Sequence, residues 1–106
     1  MKIELLYFDG CPSWRTGLNN LKSALQLEGI ESEVNLVNIQ DEVNAIRLEF
    51  LGSPSFRVNG VELWTEERDA FALSCRVYPT PEGMKGWPTV EMLREKLQIQ
   101  LDKIHE

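Results

Sequence analysis

Histidine is the scarcest chemical resource of this chain: one residue in 106, His105, beside the carboxyl end. Imidazole titrates near neutral pH and is the commonest metal ligand, so this scarcity argues against histidine-based catalysis and a His-rich metal centre. Cysteine is nearly as scarce. Cys11 and Cys75 stand far apart and form neither a disulfide framework nor the paired motif of a structural zinc, so a reducing cytoplasm is the expected location. Gly-rich phosphate loops of the Walker or dinucleotide type are missing, which leaves nucleotide binding without support and no cofactor expected. Positive charge is in deficit. Eleven Lys and Arg against 17 Asp and Glu leave a formal charge of −6, the wrong sign for a nucleic-acid surface or an anionic membrane. Glu4 and Asp9 bound a short apolar run near the amino end, too short for a membrane span or a signal segment.

What remains is an ordinary globular composition, 42% hydrophobic and 26% charged, expected to form one domain over residues 1–106. Lys2 to Phe8 is nearly continuous in apolar character and reads as a central strand covered on both faces. From Pro12 to Glu28, Trp14, Leu18, Leu21, Leu25 and Leu27 form a helical stripe that Gly29 stops. The stretch ESEVNLVNI reads as a second strand. Asp41 is placed to cap a helix over Glu42 to Phe50 whose stripe is Val43, Ile46 and Phe50. Gly52 to Pro54 break it. Asn59-Gly60, between Phe56/Val58 and Val61/Leu63, predicts a hairpin, because both turn residues tolerate positive φ. Residues 64–87 show no period and read as an irregular insertion, a kind of segment that is often functional. Pro88 suits the first turn of a last helix with Val90, Leu93, Leu97, Leu101 and Ile104 facing a core.

The order β-α-β-α-β-β-α, with DGCPSW after the first strand and GSPSF before the third, resembles the thioredoxin-like superfamily over nearly the whole chain. That resemblance implies an α/β fold with a four-stranded mixed sheet and helices on both faces. It further implies that Cys11 matches the family's first cysteine and that Pro54 matches its cis-proline. A cis bond there presents the Ser53 backbone beside the thiol, where a peptide or a glutathione-like thiol pairs by strand addition. Pro12, Trp14, Ser53 and Pro54 are thus the expected substrate-binding residues. One departure matters: Trp14 stands where the family's second cysteine would be, so the usual local disulfide cannot form. The chain is also similar to small bacterial proteins with GCP, a following tryptophan and a later SCR, which carry thioredoxin-like or organomercurial-lyase-like labels.

Each chemical residue has a plainer reading beside its functional one. Cys11 is either a thiolate stabilised by a helix N-terminus, with Arg15 adding and Asp9 opposing positive charge, or a small apolar core residue. Cys75, in ALSCRVYPTPEG, is a packed thiol, a resolver of a mixed disulfide on Cys11, or a second ligand for a soft metal ion. Arg76 beside it either depresses the Cys75 pKa or is simply exposed. Trp64 and Trp87 bracket the insertion and either pin it or contact another chain. Glu66, Glu67 and Asp69 read as solvated surface, with a general-acid role as the functional alternative.

The leading expectation is a thiol–disulfide oxidoreductase with Cys11 as nucleophile and Cys75 as resolver, acting on protein or low-molecular-weight thiols and disulfides. The alternative is a non-catalytic module that binds a soft metal or a partner peptide. A third reading, carbon–metal bond cleavage, has Asp9 as the nearest proton donor. The sequence does not set an oligomeric state.

Overall fold

The computed structural model describes residues 1–104, so His105 lies outside the described residues. Four strands form one mixed sheet: β1 (Ile3–Tyr7), β2 (Val34–Asn38), β3 (Ser55–Val58) and β4 (Val61–Glu62), in the spatial order β2-β1-β3-β4. Central β1 pairs parallel with β2, Leu5 opposite Leu36, and antiparallel with β3, Leu5 opposite Phe56. Between β1 and β2 runs α1 (Trp14–Leu27), between β2 and β3 the short α2 (Glu42–Arg47), and α3 (Val90–Ile104) ends the described chain. None of these helices is long and apolar enough to cross a membrane.

The pleat of β1 sorts the core into two layers. Ile3 and Leu5 face one side, where Phe56 and Val58 of β3 join Leu21, Ala24 and Leu25 of α1 and Leu93 and Leu97 of α3. Leu6 faces the other side and packs with Ile39, Ala45 and Phe50. Helices therefore cover both faces, as the continuous apolar run of β1 requires.

Local chemistry sets the element ends. Gly29, at φ +69°, ends the turn after α1, and Asn59 and Gly60, at φ +52° and +79°, make the β3–β4 turn. The Asp41 carboxylate accepts from the Asn44 N–H at 2.8 Å and caps α2. The cap of α3 is Thr89, whose hydroxyl accepts from the Met92 N–H at 3.1 Å, so Pro88 precedes the helix rather than opening it.

The stripe expected for α2 fails. Val43 and Ile46 are 74% and 59% exposed, and Ala45 is the residue of the helix that is buried. The helix stops at Arg47, so Phe50 reaches the core from the turn beyond it and no longer shares a helical face with Val43 and Ile46. The insertion is also less irregular than its sequence. It contains a second, two-stranded sheet, β5 (Tyr78–Thr80) against β6 (Gly83–Lys85). Aperiodic sequence is no bar to so short a hairpin, because Gly83, at φ +109°, supplies the turn and Tyr78 supplies the one buried side chain of its strands.

Candidate functional site

The site lies where the turn into α1 meets the start of β3. Cys11 precedes α1 by a turn that includes Pro12 and Ser13, and its N–H donates to the Phe8 carbonyl at 3.1 Å. The helix itself begins at Trp14, later than the expected Pro12, so Cys11 stands ahead of the helix end rather than on it. Its side chain is 2% exposed, and its S–H donates to the Ser53 carbonyl at 3.4 Å. Pro12 is exposed, and the Ser53–Pro54 bond is cis. Helix α1 closes on the proline ring: a Cβ on Gly17 would lie 2.9 Å from Pro54 Cγ, so glycine at 17 permits the contact.

Trp14 does not line an open groove. Its ring stacks on Tyr7, with centroids 4.0 Å apart, and the Arg15 guanidinium lies over it at 4.8 Å, which gives Arg15 a partner other than the Cys11 thiol. Asp9 accepts from the Asn38 amide at 3.3 Å.

The insertion folds back onto this corner. The Ser53 N–H donates to the Ser74 carbonyl at 2.8 Å, and the Arg76 N–H donates to the Ser53 carbonyl at 2.9 Å. Together these make a parallel bridge that sets Cys75 opposite Ser53. Both main-chain groups of Ser53 are thus engaged by the chain's own segment, and its buried hydroxyl has no hydrogen-bond partner among the described residues. Cys75 is exposed and free, as Cys11 is free and buried. Although Cys75 is exposed, partial desolvation first, and then a hydrogen bond to Cys11 and its charge, push the Cys75 thiol above its ordinary range. The two cysteines meet at Ser53: Cys11 donates to its carbonyl, and the bridge sets Cys75 opposite it.

Arg76 does something the sequence did not suggest. It is neither exposed nor turned to Cys75. Its guanidinium donates to Glu62 at 3.3 Å and to the Trp64 carbonyl, and lies over the Tyr78 ring at 5.2 Å. Glu62 also accepts from Arg57 at 2.8 Å; burial raises its pKa while the two guanidinium groups oppose the rise. Tyr78 is 1% exposed and its hydroxyl donates to the Pro54 carbonyl. Burial, above all, pushes that phenol well above its usual range. Trp64 meets Phe56 and Tyr78 edge-on, at 5.9 and 5.2 Å between centroids, so it pins the insertion to the sheet. Of the acidic cluster, Glu66 is paired with Arg68 at 3.0 Å, a hydrogen bond that lowers its pKa.

Arg76, Tyr78 and Glu62 are the site residues that sequence reasoning undervalued. Arg76 and Tyr78 lie in an aperiodic stretch, and Glu62 is 14 residues from Arg76 along the chain, so no spacing marks them as partners. Among the described residues no group of three or more His, Cys, Asp or Glu gathers to hold a metal, so a soft ion would find the two thiols alone. No protein-family model, curated protein or solved structure matches this chain.

Proposed function

We propose that the chain is a thioredoxin-like thiol–disulfide oxidoreductase whose exchanging pair is Cys11 and Cys75. The strand order β2-β1-β3-β4, a cysteine at the turn into α1 and a cis-proline beside it at the start of β3 support the family reading. The observation that carries the activity is that both cysteines converge on Ser53, Cys11 by its S–H bond to the Ser53 carbonyl and Cys75 by the bridge that sets it opposite Ser53. Position 14 then needs no cysteine, and its tryptophan packs on Tyr7 instead.

The chemistry follows from two adjacent thiols. One thiolate attacks a sulfur of an external disulfide; that S–S bond breaks and half of the substrate leaves as thiolate. The second cysteine attacks the protein sulfur of the mixed disulfide, an intramolecular disulfide forms, and the other half leaves. Two protein thiols are oxidised and one substrate disulfide is reduced, and the two protons pass through solvent to the products. A reducing compartment such as the cytoplasm would return the pair to thiols between turnovers.

Mass measurement under non-reducing conditions tests this. After mild oxidation the monomer is expected to lose two hydrogens, and Cys11→Ser and Cys75→Ser each abolish the loss. An unchanged mass, or a disulfide-linked dimer in its place, ends the reading.

A further inference from the structure

We propose that Cys75 meets the external partner first and buried Cys11 closes the exchange, and that this partner is a low-molecular-weight disulfide or thiol rather than an extended polypeptide. The proposal rests on the exchange reading above and gives it an order and a substrate class.

Two observations carry it. The first is accessibility. Cys11 is 2% exposed and its S–H is engaged by the Ser53 carbonyl, whereas Cys75 faces solvent. In-line attack between sulfurs needs room for three of them in a row; access rather than acidity selects Cys75, whose thiol is held above its ordinary range but faces solvent. The second is the pairing edge. An extended peptide gains affinity by adding its main chain to a free edge, and the Ser53 N–H and C=O are already taken by Ser74 and Arg76. A polypeptide therefore finds no main-chain partner at Ser53, while a small disulfide needs only the exposed sulfur.

The occupying segment is built into the fold. Gly52, at φ +114°, lets it approach: a Cβ there would lie 3.0 Å from Arg76 Cβ and 3.3 Å from the Arg76 nitrogen. Arg76 is 8% exposed and tied to Glu62 and the Trp64 carbonyl, and Tyr78 is tied to the Pro54 carbonyl. Displacing the segment would take one guanidinium from the Glu62 carboxylate and leave the Trp64 and Pro54 carbonyls without these donors.

In the reducing direction the Cys75 thiolate attacks RSSR, the Cys75–S–S–R bond forms, and RS⁻ leaves. The Cys11 thiolate then attacks the Cys75 sulfur, the Cys11–Cys75 bond forms, and the second RS⁻ leaves; solvent carries the two thiol protons to the two RS⁻. The oxidising direction is the reverse, beginning with an external thiolate at the exposed Cys75 sulfur.

The test uses the full reduced chain with 2-hydroxyethyl disulfide, acid-quenched at short times and mapped by peptide mass. Early adduct is expected on Cys75 in the wild type. Cys11→Ser should accumulate that adduct, and Cys75→Ser should be modified at Cys11 about tenfold more slowly or less. Because removing the Cys75 sulfur can uncover Cys11, iodoacetamide labelling of the wild type provides a second reading, with Cys75 expected to label first. A cysteine peptide of about ten residues, supplied as its homodisulfide, should react about tenfold more slowly than the small probe. Cys11 labelling first overturns the order, and a peptide that reacts as fast overturns the substrate class. In either case the closed Cys11–Cys75 disulfide in the wild type keeps the exchange reading. Failure of that disulfide to form overturns both.

Discussion

On the α1/α3 side of the sheet, Leu5, Leu21, Phe56, Leu93 and Leu97 bury their side chains at strand and helix spacing, each among several others of its kind. Between Trp64 and Lys85 the buried residues are two, Arg76 and Tyr78, and both are held by polar bonds as well as by packing. The first region is stabilised by many interchangeable apolar contacts. The second is tied to the same core through Tyr78 and adds a few directional bonds. Whether it opens while the frame stays folded is what substitutions in the two regions test.

Substitutions on either side of this comparison should differ in kind as well as in size. The largest effect is expected from Leu21→Ala, which empties a fully buried position of the α1 face. A loss of about 3 kcal/mol in chemical denaturation is expected, with hydrogen exchange accelerated throughout the frame. Arg76→Ala comes next, at about 2 kcal/mol for the lost charge-assisted hydrogen bonds. Here exchange should rise at the Ser53 and Arg76 amides, which form the bridge, and stay unchanged at Leu5 and Phe56; closure of the Cys11–Cys75 disulfide should slow in parallel. Uniform acceleration across β1 and β3 would show that the two regions form one cooperative unit. Tyr78→Phe should be mildest, about 1 kcal/mol, because the ring stays and only the bond to the Pro54 carbonyl is lost. Its readout is faster labelling of Cys11 by iodoacetamide with little change in denaturation midpoint.

The same contrast explains which parts of the molecule were legible in the sequence. Strand β1, helix α1 and the Asn59-Gly60 turn follow from spacing and from residues that tolerate positive φ, both local properties. Helix α2 departs from its sequence pattern: Val43, Ile46 and Phe50 have helical spacing but do not share one face. The helix ends at Arg47, before the third of them, and the sheet is met by Ala45 and Phe50 instead. Cys11 and Pro54 pair only through the thioredoxin-like resemblance that DGCPSW and GSPSF carry; no spacing links them. The buried ion pair of Arg76 and Glu62 was not legible, since one charged residue in an aperiodic stretch does not announce its partner.

Periodicity and backbone preference act over a few residues, and they set the order of the elements outside residues 64–87 and the Asn59-Gly60 turn; the β5–β6 sheet within that stretch left no period to read. Whether Cys75 would reach Cys11 was decided only in three dimensions. It depends on the Ser53 N–H finding the Ser74 carbonyl, on the Ser53 carbonyl finding the Arg76 N–H, and on a glycine at 52 that lets the two backbones close. Contacts between residues so distant along the chain leave no spacing to read; they exist because burying Arg76 and Tyr78 is favourable only when their polar atoms find partners on the sheet.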